Sequence, residues 1–373
     1  MKNIAIVGVG GMGAGHAVAI ASGTGNPTMI IPGIFEKEAA KYHDYDTDLN
    51  GILNLIGVCD IRAERQEWAK KQGYRLYDTF DDVIADPEVD IVLIAVPNDQ
   101  HHDLSVRAMR AGKHVLCEKP VMMSSAELED VIQVSRETGK VFYPRQNRRW
   151  DEDYLIVKKI FDEKLLGEVY NIECRIQGSR GIPGDWRSKK AHGGGEMLDW
   201  GVHIIDRISV MIPEKIKYIY AHMTHITNDE VDDGFKMQMI FESGRTVVLE
   251  VATVDFIKLP MWYVAGTDGT AVIEDWGLDG KMIRLKSWED KDAAPILAGS
   301  GLTKTMAPRL RGSTEELPLP EVHFDANELY VNLVDVIEGR AEQIVKPEEA
   351  LRVLRIMEAA FKSDETHTVV EFE

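Results

Sequence analysis

Ile4-Ala5-Ile6-Val7-Gly8-Val9-Gly10-Gly11-Met12-Gly13 is an apolar run that stops on glycines, and its reading decides the fold. The β-branched residues up to Val7 suit a buried strand, and the small residues from Ala14 to Ala21 suit the helix after it. Strand, Gly-x-Gly-x-x-Gly and helix, in that order, make a dinucleotide-binding turn. Gly8 permits the tight turn, Gly10 lets the backbone approach a pyrophosphate, and Gly13 lets helix and strand pack closely. The whole loop, Gly11 and Met12 included, is a candidate cofactor contact, because a helix N-terminus offers N–H groups and a positive dipole end to phosphates.

Further along, Leu53 to Cys59, Val89 to Val96, His114 to Cys117 and Lys140 to Gln146 read as strands alternating with helices. Ser124-x-x-Glu127 has the spacing of a capping box opening a helix that ends at Gly139. Alternation of this kind predicts a doubly wound parallel sheet, a Rossmann-type NAD(P)-binding domain over residues 1–146. The acidic residue for the adenosine ribose, expected about 20 residues past the glycines, comes late, as Asp60. Residues 22–50 lie between and read as an insertion at the sheet edge away from ligands, a surface or subunit-contact element. Asp60 at the end of its strand favours NAD, since a carboxylate repels a 2′-phosphate; Arg62 could accept that phosphate, so NADP stays open.

Residues 147–373 change character. Glu168–Ser179, Lys215–Thr224, Phe235–Glu242, Arg245–Asp255, Trp262–Gly266, Ala271–Glu274 and Met282–Ser287 read as strands, with Ser243-Gly244 as a hairpin turn. Helices are expected at Asp151–Leu166, Ala326–Glu338 and Glu348–Phe361, and a last strand at Val369–Phe372. Short connections predict an α+β domain on a large, mostly antiparallel open sheet, one face on the core and the other available to a partner subunit. Lys291–Pro320 reads as a long irregular loop, functional or interfacial.

Composition narrows the partners. The chain has 373 residues, 44% hydrophobic and 28% charged, with a formal net charge of −19. That charge argues against nucleic acid and anionic membranes as partners. Cys59, Cys117 and Cys174 are widely spaced without a Cys-x-x-Cys pair, which predicts a reducing compartment, no disulfides and no metal site. Met1–Val9 lacks the pattern of a signal peptide, and no apolar run approaches the ~20 residues of a membrane span. A cytoplasmic protein is expected.

The stretch Gly193-Gly194-Gly195-Glu196-Met197-Leu198-Asp199-Trp200-Gly201-Val202-His203-Ile204-Ile205-Asp206 has apolar residues at helical spacing. Asp199 and His203, four apart, share a face of that helix, and a carboxylate beside an imidazole is the equipment of proton transfer. The same pattern equally suits a helix start with an Asp and a His satisfied in the core.

Taken together, GVGGMG at 8–13, PNDQH at 97–101, CEKP at 117–120, QNRRW at 146–150, DWR at 185–187, GGGEMLDWGVHIID at 193–206, ANELYVNLVDVIEGR at 326–340 and PEEALRVLRIMEAA at 347–360 resemble the Gfo/Idh/MocA oxidoreductases. That group contains glucose–fructose oxidoreductase and the inositol dehydrogenases. The resemblance runs nearly the whole chain, and 22–50 and 291–320 depart from its plainest members. It implies a Lys119, Asp199 and His203 constellation. His203 takes the hydroxyl proton while hydride leaves for nicotinamide, Lys119 stabilises alkoxide charge, and Asp199 holds the substrate hydroxyl and tunes the imidazole. It also implies that Pro97, Asn98 and His101 line the nicotinamide ribose, although His101 equally suits a helix-start cap. Glu118 is expected to contact cofactor or position Lys119. Arg148 is expected near substrate, and Trp186 and Arg187 near cofactor, with surface ion pairing a rival role for both arginines. Asp206 is a candidate supporting group, and His102, His192 and Tyr154 are candidate cleft residues. The implied activity is NAD-dependent oxidation of a secondary hydroxyl of a sugar, cyclitol or glycoside, or reduction of the ketone, by a homodimer or homotetramer. Alternatives are a glycosidase using transient C3 oxidation and elimination, and a non-catalytic NAD-binding regulator.

Overall fold

The first strand, β1 (Lys2–Val7), is covered on both faces from Ile4 onward and lies at the centre of a six-stranded parallel sheet. The computed structural model describes residues 1–23, 47–288, 294–309 and 312–373. Its first sheet has the order β3-β2-β1-β4-β5-β6, formed by Leu76–Tyr77, Leu53–Cys59, Lys2–Val7, Ile91–Ile94, His114–Cys117 and Phe142–Pro144. This is the dinucleotide-binding order, which reverses direction between β1 and β4 and opens a crevice at the strands' C-terminal ends. Helices α1 (Gly11–Ser22), α2 (Ala63–Lys71), α3 (Phe80–Ala85), α4 (His101–Arg110) and α5 (Ser125–Thr138) make the connections, and α6 (Glu152–Asp162) follows the sheet. α5 opens on half a capping box: Ser124 Oγ accepts from the Glu127 N–H at 3.2 Å, but the Glu127 carboxylate reaches the N–H of Met123 instead of Ser124.

The second sheet has nine strands in the order β16-β13-β12-β11-β7-β10-β9-β8-β17. In chain order these are β7 (Val169–Gln177), β8 (Ile216–Thr224), β9 (Gly234–Phe241), β10 (Thr246–Ala252), β11 (Trp262–Gly266), β12 (Gly269–Ile273), β13 (Gly280–Leu285), β16 (Thr314–Leu317) and β17 (Val370–Glu371). Every neighbouring pair runs antiparallel except β7 with β10. One face packs on α7 (Val202–Met211) and α9 (Pro347–Thr366), burying Ile219, Met237, Leu249 and Val251. The other face exposes Tyr170 and Tyr220 between charged residues.

Two expectations need correcting. The stretch 291–320 is not wholly irregular: β14 (Ile296–Ala298) and β15 (Gly301–Thr303) form a hairpin, and β16 adds an edge strand on β13. Its glycines and prolines hid strands too short to show a period. The contiguous division at 146/147 is also crossed, because α8 (Glu328–Ile337) packs on the first sheet. There Leu329, Tyr330, Leu333 and Val334 share a core with Ile4, Ile6, Leu116 and Tyr143.

Most of the expected 22–50 insertion lies outside the described residues. Its last part is anchored just before α8, where Thr47 N–H donates to Asp325 at 3.1 Å and Asn327 Nδ2 donates to the Thr47 carbonyl at 2.6 Å. Among the described residues, no helix is long and apolar enough to cross a membrane, and no group of three or more His, Cys, Asp or Glu side chains is placed to hold a metal ion.

Asp206 does not support His203, as the sequence suggested. Its carboxylate is 1% exposed and grips Arg149 through both oxygens, at 2.8 and 2.6 Å, while Arg149 reaches Glu349 at 2.7 Å. This ion pair fastens the chain between the two sheets to α7 and α9. Removing Asp206 deletes its two charge-assisted hydrogen bonds and leaves Arg149 with Glu349 alone, a loss of about 1.5–3 kcal/mol. Asp206→Ala is therefore expected to lower stability by about that amount in a denaturant titration.

Candidate active site

The glycine loop after β1 is shaped by sterics. A Cβ on Gly13 would lie 1.8 Å from the Gly8 carbonyl oxygen, and one on Gly8, at φ +86°, would lie 2.4 Å from that of Ala95. Gly10 and Gly11 differ. A Cβ on Gly10 would meet only the far end of Arg62, at 3.4 Å, and one on Gly11 would meet nothing. No side chain caps the N-terminus of α1, so its N–H groups face an open cradle that suits phosphate oxygens and fits a dinucleotide. Beside it Asp60 is nearly buried. Its Oδ2 accepts from the Val9 N–H at 2.8 Å, and its Oδ1 accepts from the Arg62 N–H at 2.9 Å and Nε at 3.3 Å. Arg62 thus leans from Asp60 toward Gly10, partly neutralising the carboxylate that was expected to favour NAD.

Across the crevice, Pro97 and Asn98 follow β4. Asn98 Nδ2 donates to the Gly193 carbonyl at 2.8 Å, joining the first sheet to the glycine run of the second half. His101 was expected near the nicotinamide ribose, and the structure corrects this. It is fully buried, with its ring nitrogens 2.9 Å from the carbonyls of Pro120 and Val96, so it braces the loop that carries Lys119. Glu118 also turns inward. Its Oε1 lies 2.7 Å from His16 Nε2 and 3.0 Å from Arg145 Nη1, and its Oε2 accepts the Lys119 N–H at 3.2 Å. Burial alone would raise the Glu118 carboxyl, but Arg145 and His16 hold it well below the usual range. Glu118 therefore positions Lys119. His16, Arg145 and Tyr330, whose hydroxyl is 2.5 Å from His16 Nδ1, are residues that sequence reasoning missed.

Lys119 and Asp199 meet, although they are 80 residues apart. Lys119 Nζ lies 2.6 Å from Asp199 Oδ1 and 2.8 Å from the Asp199 carbonyl oxygen, and Arg187 Nε lies 3.2 Å from Oδ2. Burial opposes ionisation of Asp199, but the two cations prevail and hold its carboxyl below the ordinary range. Asp199 sits in a wide turn, Met197–Gly201, in which the Val202 N–H reaches back five residues to the Met197 carbonyl. Such one-turn π-bulges re-aim helix side chains and cluster at functional sites. The helix becomes regular at Val202, which places His203 in its first turn.

His203 is 4% exposed, and its Nδ1 is buried without a partner. Burial first, then the positive charges of Lys119, Arg148 and Arg207, push the imidazole well below its ordinary range, so it is neutral near pH 7. No hydrogen bond joins it to Asp199. The expected tuning of the imidazole by Asp199 is replaced by tuning from cations.

The three glycines before this turn allow close crossings. A Cβ on Gly194 would lie 2.1 Å from the Arg187 carbonyl oxygen, and one on Gly195, at φ +105°, would lie 2.2 Å from Asp232 Oδ1. Asp232 Oδ2 accepts the Met197 N–H at 2.7 Å and so caps the turn. Between them lies Glu196, also missed from sequence. Burial, with Asp199 and Asp232 nearby, pushes its carboxyl up to about 8.

The remaining candidates scatter. Arg148 binds Asp151 at 2.7 Å and stacks on Trp200, with its guanidinium carbon 4.2 Å from the ring centroid. Trp186 lies under Arg187 at 4.7 Å. His102 pairs with Asp130 and His192 with Asp99, both at the surface. Tyr154 is buried under Arg207 and lines a separate cavity with Arg149, Trp150 and Glu349, away from the Lys119–Asp199 crevice.

Glu196 has a consequence for stability. Its folded pKa lies above the carboxylate value of about 4.3 expected in the unfolded chain. Between that value and about 8 the folded state therefore binds more protons, and stability falls as pH rises through this window. Glu196→Gln is expected to flatten the decline of Tm from pH 5 to pH 8, measured by calorimetry.

Comparison with known proteins agrees with this geometry. Residues 2–146 match the oxidoreductase family with an NAD-binding Rossmann fold, and residues 154–272 match the GFO/IDH/MocA C-terminal domain. A crystal structure of an NAD-binding protein from Listeria innocua is 43% identical, superposes with a TM-score of 0.89, and covers 99% of both chains. The scyllo-inositol 2-dehydrogenase (NADP(+)) of Bacillus subtilis is 24% identical over 86% of this chain and 90% of its own. The D-glucoside 3-dehydrogenase of Escherichia coli is 24% identical over 91% and 94%. By these matches, over both halves of the chain, the chain belongs to the GFO/IDH/MocA oxidoreductases, which are NAD(P)-dependent.

Proposed function

We propose that the protein is a dehydrogenase that oxidises a secondary hydroxyl of a polyhydroxylated substrate, a sugar, cyclitol or glycoside, or reduces the corresponding ketone. The observation that carries this reading is the Lys119 ammonium. It has three N–H donors, and Asp199 takes two of them, at 2.6 and 2.8 Å. The third is held in place for a reacting oxygen. A bound nicotinamide supplies the hydride acceptor or donor.

The side chains divide the remaining work. His203, neutral and with Nδ1 buried, presents Nε2 to take the hydroxyl proton. Lys119 stabilises the negative charge that grows on oxygen as the proton leaves, and it needs no reorganisation because Asp199 already fixes it. Asp199 keeps lone pairs free to accept a neighbouring substrate hydroxyl. Glu196, protonated near pH 7, adds no negative charge beside Lys119 and Asp199, which favours an alkoxide there. The positions of Asp60 and Arg62 support NAD with tolerance of NADP.

Incubation with NAD or NADP and a panel of sugars and inositols should produce the absorbance of reduced nicotinamide. Aglycone release from glycosides without net reduction would replace this reading with transient oxidation. Lys119→Ala is expected to lower kcat by about 10²–10³, the cost of removing one oxyanion donor. His203→Ala should lower it by about 10²–10⁴; wild-type rates in both variants would refute these roles. The pH profile is a separate check. A free imidazole would be half protonated at about 6.5, whereas His203 stays neutral there. For oxidation, kcat/KM is expected to show no acid limb in that range, and its acid limb should appear only well below it.

A further inference from the structure

Next to His203 the site continues as an aromatic wall that the hydride chemistry does not use. Trp200 meets the His203 ring edge-to-face at 5.9 Å, and Trp276 lies 5.9 Å beyond Trp200 at an interplanar angle of 44°. Arg148 reaches over both indoles, 4.2 Å from the Trp200 centroid and 5.5 Å from that of Trp276. One of its nitrogens, Nη1, is fixed by Asp151 at 2.7 Å, and its other guanidinium N–H groups have no acceptor among the described residues. Arg148 is also among the cations that depress His203, which places it at the catalytic end of the wall.

Trp276 is held outward by local structure. It sits in the tight turn between β12 and β13, where the Gly277 N–H donates to Asp275 Oδ1 at 2.8 Å and the Leu278 N–H to the Asp275 carbonyl at 3.0 Å. Leu278 adopts φ +63°, a conformation unfavourable for a branched side chain, and packs against the core. The turn thus anchors Leu278 inside and leaves Trp276 46% exposed. Register places it at the site's end of the sheet. Cys174 pairs with Trp262, Trp262 with Ile273, and Ile273 with Gly280, so the turn lies where β7 runs out toward Trp186 and Arg187.

A half-exposed indole beside a guanidinium with free donors is a platform for a ring that shows one C–H face and a rim of hydroxyls, or for an aromatic ring. Trp200, with Arg148 over it, stands 5.9 Å from the His203 ring, about the breadth of one pyranose. Trp276 lies one ring further out. We propose that Trp276, with Arg148 and Trp200, forms an outer subsite that stacks the second ring of a glycoside or disaccharide substrate. This rests on the dehydrogenase reading and narrows it to substrates bearing a ring beyond the one oxidised.

The test compares a monosaccharide, its disaccharide and its aryl glycoside on the NAD(P)-saturated protein. Wild type should favour the two-ring substrates in kcat/KM. In Trp276→Ala the ratio of two-ring to one-ring kcat/KM should fall about tenfold, mainly through KM, and Trp276→Phe should restore much of it. The disaccharide and aryl glycoside arms distinguish a sugar from an aromatic second ring. Equal kcat/KM for one and two rings in wild type, or an unchanged ratio in Trp276→Ala, overturns the subsite. If no sugar is oxidised, the dehydrogenase reading fails, and calorimetry of disaccharide and aryl glycoside binding decides the subsite alone. Binding that weakens about tenfold in Trp276→Ala upholds it, and equal or absent binding overturns it.

Discussion

The structure depends on one ion pair that spans the crevice. Lys119 comes from the loop after β5 and Asp199 from the wide turn before α7, and both are mostly shielded from water. A shielded charge without its partner is costly, so the pair forms only when the two parts of the chain are held in register. Asn98 on the Gly193 carbonyl, Arg187 on the second oxygen of Asp199 and Glu118 on the Lys119 N–H supply that register. The contact that fixes the assembly of the crevice is also the one that leaves an ammonium donor unspent. Structure and chemistry share the same atoms.

Behind it, a buried set of polar groups ties the cofactor cradle to the reactive lysine. His16 stands on α1, one turn beyond the glycine loop, and shares Glu118 with Arg145. Its other ring nitrogen meets Tyr330 on α8. Burial first, with Arg145 adding to it, lowers the His16 imidazole despite the neighbouring carboxylate. The charge in this group therefore resides on Glu118 and Arg145, and the histidine acts as a neutral bridge. The helix whose N-terminus faces a dinucleotide and the residue that faces substrate thus hang from one carboxylate.

Much of this was legible in the residues themselves. The glycine loop, the continuous apolar strands and the alternation with helices imply the six-stranded sheet, because a strand covered on both faces has few other ways to be buried. The open, mostly antiparallel sheet follows from connections too short for crossovers. Residue type alone misled at His101 and Asp206. A polar residue in a motif is equally compatible with facing a ligand or bracing a loop, and only the partner, from a distant part of the chain, decides. His16, Arg145, Glu196 and Asp232 escaped for the same reason. Each is a lone titratable residue with no period and no sequence neighbour to announce it, and its importance arises from burial and from charges brought near by folding. The π-bulge was illegible too, since no residue type marks where one extra residue widens a helical turn.

The position of α8 bears on how the chain is made. Leu329, Tyr330, Leu333 and Val334 complete the core over Ile4, Ile6 and Leu116, yet they lie far downstream of the sheet's last strand, β6. During translation the parallel sheet emerges with that face only partly covered, by Ala17 and Ile20 of α1 and Ala69 of α2, and it stays so until α8 follows. The early half cannot reach its final packing by itself. Completion of the cofactor-binding core is thus set by α8 and not by the order in which the sheet's own strands appear.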